Sequence, residues 1–188
     1  MRPDQEEVVA AMLHHDVGIL CAPTAFGKTV TGAAIIARRR VNTLILVHRT
    51  ESLRQWQERL SAFLGIEKGV VGTIGGGRRK ATGRIDIAEM QSLSRKGEVD
   101  PLVEDYGQVI ADDNFAGSEI GRTPVRPQGR AMDGAHQCHH IGAVSFDAIL
   151  KRVKARYVLG LTATPIRRDG QQPIIFILKP SVKPARSW

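Results

Sequence analysis

The sequence predicts an α/β fold, a parallel sheet with helices on both faces, and three observations predict it. Short apolar runs alternate with segments whose apolar residues recur at helical spacing, as strands joined by crossover helices do. The runs carry few polar residues, as expected of strands covered on both sides. Polar residues collect at the C-terminal ends of the runs, where open parallel sheets gather their ligands.

Arg2-Pro3-Asp4-Gln5 precedes a helix with Val8, Val9, Met12 and Leu13 on one face; Pro3 suits a first turn and Asp4 favours a helix start. The Gln5 amide is either a plain surface group or one that reads a donor and an acceptor on an adenine edge. Residues 17–21 read as a strand and residues 30–40 as a helix. Between them lies Ala22-Pro23-Thr24-Ala25-Phe26-Gly27-Lys28-Thr29. Strand, small-residue loop, Gly-Lys-Thr and helix form the phosphate-binding arrangement. Backbone N–H groups wrap the phosphates, Lys28 neutralises them and Thr29 holds Mg²⁺, so the expected ligand is a nucleoside triphosphate. Ala22 replaces the first glycine of that pattern and must keep φ negative, which an extended entry into the loop permits.

Asn42-Thr43-Leu44-Ile45-Leu46-Val47 reads as a buried strand. His48-Arg49-Thr50 follow at its C-terminal end, placed for a nucleic-acid backbone phosphate. Leu53, Trp56, Leu60 and Phe63 then recur at helical spacing, with Trp56 read as core. Residues 69–77 give a short strand ending in Gly75-Gly76-Gly77, and Arg78-Arg79-Lys80 continue a glycine-favoured loop. Ile85-Asp86-Ile87-Ala88 alternates as a fourth strand, followed by Gln91-Ser92-Leu93. Asp100-Pro101 starts a short helix, and Tyr106-Gly107 turns into the strand Gln108-Val109-Ile110-Ala111. That strand ends in Asp112-Asp113. Acid at a strand end downstream of a phosphate loop points to magnesium: the first carboxylate orients the ion and the next polarises the attacking water.

Residues 114–137 break the pattern, rich in glycine, proline and arginine, and read as a surface loop or insertion. His136, Cys138, His139 and His140 carry zinc-ligand chemistry, so a metal-binding insertion is a further reading, although no second paired cluster accompanies them. Residues 141–155 return to helical character. Tyr157-Val158-Leu159-Gly160-Leu161 is a sixth strand ending in Thr162-Ala163-Thr164-Pro165, whose hydroxyls lie beside the expected nucleotide edge. After residue 171 comes one apolar run, 174–178, and an end that reads as unstructured.

At 188 residues, with 42% hydrophobic and 24% charged residues, the chain suits one domain with a sizeable core, or one plus an appendage. No apolar run approaches the roughly 20 residues that span a membrane, and the charged N-terminus is no signal peptide. Cys21 and Cys138 form no disulfide framework, so a reducing cytoplasm is expected. The net charge of +8 comes largely in clusters: Arg38-Arg39-Arg40, Arg78-Arg79-Lys80, Lys151-Arg152 with Lys154 and Arg156, and Arg167-Arg168. Beside a phosphate loop they make nucleic acid the leading partner.

In this order the motifs resemble the first RecA-like domain of superfamily 2 helicases, the DEAD/DEAH and type III restriction-subunit group. Arg2 to Gln5 resembles the adenine-reading motif, residues 22–29 motif I, and His48-Arg49-Thr50 with Leu53, Gln55 and Trp56 motif Ia. Gln91-Ser92 resembles a later strand-contacting motif, and Thr162-Ala163-Thr164-Pro165 motif III. The resemblance implies a RecA-like P-loop NTPase domain over 1–170, with 114–137 inserted and 171–188 a tail. It implies ATP held by Arg2, Gln5, Pro23, Thr24, Ala25, Phe26, Gly27, Lys28 and Thr29, and Mg²⁺ held by Thr29 and Asp112. Lys28, Asp112 and Asp113 would be catalytic, and His48, Arg49, Gln91, Ser92, Thr162 and Thr164 would meet the nucleic acid, DNA by preference.

Two departures stand out. The family's Asp-Glu-x-His is split here, with 109–113 resembling its first half and Cys138-His139-His140 its second; Asp133-Gly134-Ala135-His136 is a rival without a preceding apolar strand. Asp113 stands where the family has glutamate, one methylene short, and misplacement by about 1 Å can cost on the order of 100-fold in rate. Loop closure costs only about 0.6 kcal/mol per doubling of length, so the insertion leaves the fold tenable. The second departure is the absence of a second RecA-like domain, which would act in trans. The expected function is the ATP-binding half of an ATP-dependent DNA helicase or translocase, with hydrolysis impaired; the alternative is a non-catalytic nucleotide- or nucleic-acid-binding module.

Overall fold

The computed structural model describes residues 1–95, 98–113, 146–162 and 174–177. In chain order the elements are α1 (Pro3–Leu13), β1 (Val17–Cys21), α2 (Lys28–Arg39), β2 (Thr43–Val47), α3 (Thr50–Leu64), β3 (Val71–Gly75), β4 (Arg78–Lys80) and β5 (Ile85–Glu89). There follow the one-turn α4 (Met90–Leu93), the ribbon β6 (Ser94–Arg95) and β7 (Glu98–Val99), and β8 (Gln108–Asp113). The chain continues with α5 over 146–152, β9 (Tyr157–Thr162) and β10 (Ile174–Ile177).

Eight strands form one sheet in the order β10-β1-β9-β8-β2-β5-β3-β4. Every pairing from β1 across to β3 is parallel. β10 lies antiparallel on β1 and β4 antiparallel on β3. The expected α/β architecture is therefore present, with a reversed strand at each edge. Because the six inner strands run the same way, their C-terminal ends share one rim of the sheet. Among the described residues no helix is long and apolar enough to cross a membrane.

Side-chain alternation along the strands divides the core into two layers. Ile45 and Val47 of β2 join Ile87, Ile110, Leu159 and Leu161 under α1, α2 and α3. Leu44 and Leu46 join Ala88, Val109 and Ala111 on the other face, covered by Met90, Leu93, Val103, Tyr106, Phe146 and Ile149. β2, fully buried along its length, thus serves both layers, which is why it reads as an unbroken apolar run.

Several sequence expectations are corrected. Arg78-Arg79-Lys80 are not a loop but β4: Gly75, Gly76 and Gly77 all take positive φ and turn the chain back, with Gly75 opposite Arg78 and Thr73 opposite Lys80. Phe63 is not on the buried face of α3; it is 51% exposed, and the stripe runs from Leu53, Trp56 and Leu60 to Leu64. Those steps of three, four and four residues follow the 3.6-residue turn, which carries Phe63 past the core. Residues 174–177, read as tail, add β10 to the sheet beside β1.

Two basic clusters also change meaning. Arg39 is half sequestered, donating to the carbonyls of Met12 at 3.0 Å and His15 at 2.6 Å and to Gln108 at 3.4 Å, with its guanidinium 4.3 Å from the Tyr157 ring centroid. It ties the ends of α1 and α2 to the beginnings of β8 and β9. Arg38 pairs with Glu6. Arg152 and Lys154 both pair with Glu104, Lys151 with Asp147 and Arg156 with Asp16. These cations secure packing at the strand N-termini and along α5, and do not form a polyanion track beside the phosphate loop.

Candidate functional site

β1 delivers the chain to the loop between two strands of the same rim. Cys21 is in register with Thr162, and the Ala22 N–H donates to the Thr162 carbonyl at 3.0 Å. Ala22 keeps a negative φ, since Arg40 is the one non-glycine with positive φ among the described residues. The loop closes through a 3₁₀ turn over Thr24–Phe26 and Gly27 at φ +86°. Any side chain at Gly27 is excluded twice, by that φ and by Gln5, whose Nε2 would lie 2.7 Å from a Cβ. α2 starts at Lys28, so its N-terminal dipole end faces the loop.

The Phe26 carbonyl is a hub. Gln5 Nε2 donates to it at 2.6 Å and Arg2 Nη2 at 2.9 Å, while the Gln5 Oε1 accepts the Arg2 backbone N–H at 2.9 Å. Gln5 is 5% exposed and joins the start of α1 to the phosphate loop. Both ends of its amide are engaged within the chain. Lys28 Nζ bends over the loop, 2.9 Å from the Ala22 carbonyl and 3.4 Å from that of Pro23.

Asp112 reaches the site from β8, in register with Leu161. Ile110 is two residues before it, on the α1–α2–α3 face, so Asp112 meets α3: the Trp56 indole N–H donates to its Oδ2. Burial pushes the Asp112 carboxyl above the ordinary carboxylate range, opposed by the Trp56 hydrogen bond and by the charges of Lys28 and Arg59. Arg59 donates to the Thr29 hydroxyl at 3.2 Å.

The residues fit a magnesium–triphosphate group. The donor set is a hydroxyl and a carboxylate, the hard oxygens Mg²⁺ takes, and α2 begins at Lys28 with its N-terminal amides toward the loop. No group of three His, Cys, Asp or Glu able to hold a metal occurs among the described residues. Mg²⁺ needs none, because it binds one or two protein oxygens and completes its shell with phosphates and water.

The rim continues past the phosphate loop. After β2 come His48, half-buried, and Arg49, exposed; after β5 come Gln91, exposed, and Ser92, half-buried. At about 4.8 Å per strand, the four steps from β1 to β5 place these groups up to roughly 19 Å along the rim from the phosphate loop. At the far end a cavity of about 170 Å³ is lined by Ile74, Gly75, Gly77, Arg78, Arg79 and Ser92. The structure thus brings Arg2, Gln5, Pro23, Ala25, Phe26, Gly27, Lys28, Thr29, Asp112 and Thr162 to one end of the rim. His48, Arg49, Gln91 and Ser92 lie further along it.

Thr24 and Asp113 are described through their backbones alone, Asp113 in register with Thr162. Thr164, residues 114–137, Asp133, His136, Cys138, His139, His140, Arg167 and Arg168 lie outside the described residues. Sequence reasoning missed the contacts of Trp56 and Arg59. Their partners are 56 and 30 residues away, and no spacing signals such contacts; the helical period alone places both on one side of α3.

Comparison with known proteins bears on the family and the fold. A DNA 3'-5' helicase XPB from Kineococcus radiotolerans is 31% identical over 185 residues, covering 95% of this chain and 28% of that protein. A DNA 3'-5' translocase XPB2 from Sulfurisphaera tokodaii is 29% identical, covering 95% of the chain and 34% of that protein. The chain thus spans about a third or less of these two relatives. Among solved structures, a hypothetical ATP-dependent RNA helicase from Sulfolobus tokodaii matches with TM-score 0.60 at 19% identity, over 87% of this chain and 46% of that one. The T4 protein UvsW also matches with TM-score 0.60, at 14% identity, over 85% of this chain and 29% of that one. At such identities these two likenesses show the helicase RecA-like fold. The model of the type III restriction enzyme res subunit matches residues 1–116, more than half of the sequence, and the chain belongs to that family.

Proposed function

We propose that the chain is the ATP-binding half of an ATP-dependent DNA helicase or translocase. The observation that carries this is the meeting of Lys28, Thr29 and Asp112 at one end of the strand rim, where Trp56 and Arg59, one turn apart on α3, donate to Asp112 and to Thr29. Lys28 would leave the loop carbonyls for the β- and γ-phosphates, and Thr29 and Asp112 would hold Mg²⁺. The bound ion would neutralise charge on those phosphates. Gln5 would exchange the Phe26 carbonyl for the adenine edge, and Arg2 would keep the loop closed. His48, Arg49, Gln91, Ser92 and the Thr162 region would face the nucleic acid, with Arg78 at the distal end of the same rim. The relatives named as a DNA helicase and a DNA translocase favour DNA over RNA.

Hydrolysis in this reading is slow, because Asp113 supplies a carboxylate one methylene short of the family's glutamate, and it calls for a second RecA-like domain. A reducing cytoplasm suits a chain whose Cys21 is buried in β1. ATP titration with and without Mg²⁺ tests the proposal: the wild type binds in a Mg²⁺-dependent way and Lys28→Ala loses it, whereas equal affinity in the variant removes the phosphate-loop assignment. The split acidic motif favours a second reading, a module that binds without turnover. DNA-stimulated ATP hydrolysis, measured alone and with a second domain added, separates the two.

A further inference from the structure

Trp56 and Arg59 sit one turn apart on α3 and donate to the two oxygen-bearing residues of the proposed magnesium site. Trp56 gives its indole N–H to Asp112 Oδ2, and Arg59 gives a guanidinium N–H to Thr29 Oγ1 at 3.2 Å. Neither contact is needed for packing alone. The indole is 1% exposed and would be accommodated as a plain hydrophobe, yet its one polar atom is aimed at the carboxylate. Its ring is seated against α2 at Gly32, where a Cβ would come within 2.8 Å of the Trp56 Cη2. The direction of the N–H is therefore set by helix packing.

We propose that α3 sets the affinity of the site for its divalent cation, Trp56 as a positioning residue that raises it and Arg59 as a resident cation that lowers it. The inference rests on the magnesium–triphosphate reading above. An indole N–H is a donor only, so it fixes the carboxylate with Oδ2 engaged and leaves Oδ1 to meet the ion. A donor to an ionised group contributes more than one between neutral groups. Arg59 holds a positive charge at the hydroxyl a cation must approach, and Mg²⁺ binding has to displace it. Opposite effects from neighbouring turns of one helix distinguish this from a general loosening of the fold.

The test is a Mg²⁺ titration of ATP binding in three proteins, wild type, Trp56→Phe and Arg59→Met, with ATP binding in EDTA and thermal melting alongside. Trp56→Phe is expected to raise the Mg²⁺ concentration for half-saturation about tenfold and to leave metal-free ATP binding unchanged; Arg59→Met is expected to lower it several-fold. A folded Trp56→Phe with the wild-type Mg²⁺ dependence overturns the proposal. Should that variant fail to fold, a Trp188→Phe protein leaves Trp56 as the single indole of the sequence. Its emission is expected to shift when Mg²⁺ is added to the ATP-bound protein, and an unchanged spectrum again overturns the proposal. Failure of the underlying reading shows differently, as a wild-type chain that binds no ATP with or without Mg²⁺.

Discussion

Replacing Asp86 with asparagine tests the half of the fold that lies away from the nucleotide. Asp86 is 0% exposed on β5, between Leu44 of β2 and Gly72 of β3. Its Oδ1 accepts from the Thr82 N–H and hydroxyl, both at 2.8 Å. Its Oδ2 accepts from the Gly83 N–H at 2.8 Å and from the Tyr106 hydroxyl. The room for it exists because Gly72 has no side chain; a Cβ there would fall 1.8 Å from Oδ1. Asparagine keeps the shape but turns one acceptor into a donor. Whichever way the amide sits, its NH₂ faces one hydroxyl and one backbone N–H. The hydroxyl can rotate to accept; the backbone N–H cannot.

The loss is thus one charge-assisted backbone bond, about 1.5–3 kcal/mol, with the remaining bonds weakened by the missing charge. We expect a total of about 2–4 kcal/mol. With a urea slope near 2 kcal/mol per molar, typical of small domains, the unfolding midpoint falls by about 1–2 M. Urea denaturation followed by circular dichroism measures this. In the Asp86→Asn background, adding Tyr106→Phe is expected to cost much less than in the wild type, since the two share one bond. A midpoint shift below about 0.3 M, or full additivity of the two substitutions, would refute the reasoning. ATP binding well below the transition should be unaltered, because Asp86 is the second residue of β5 whereas the phosphate loop lies beyond the strand C-termini.

Burial, followed by the hydrogen bond to Asp86, holds the Tyr106 phenol well above its ordinary range. The folded state therefore favours the neutral form, and the stability this contributes is present below about pH 10 and lost as pH rises further. Alkaline denaturation should be less steep above pH 10 in Tyr106→Phe, and an unchanged profile would contradict this. On α3, Phe63→Glu should change stability by no more than about 0.5 kcal/mol, while Leu60→Ala should cost about 2–5 kcal/mol. Equal losses in thermal melts would mean that the helix is rotated from the face described.

The inner strands were legible because burial on both sides leaves runs such as 43–47 and 109–111 almost wholly apolar, and the phosphate loop because its chemistry demands Gly27, Lys28 and Thr29 together. What escaped the sequence depended on distant partners. Arg39 looked like one of three surface arginines, yet its partners are backbone carbonyls and a tyrosine ring that no local pattern records. Trp56 was read correctly as core, but a single buried N–H in a large hydrophobe leaves no periodic trace. β4 was missed because an exposed edge strand need not be apolar, and Arg78-Arg79-Lys80 has no alternation to detect.

That edge has a further consequence. A sheet margin offers unpaired amides and carbonyls to any passing chain, and two molecules can zip together there. Here the margin is three residues long, every one of them an exposed basic side chain, with Arg79 paired to Asp100. Two copies approaching along it would set like charges face to face, so the basic triplet acts as a guard against stacking into fibres.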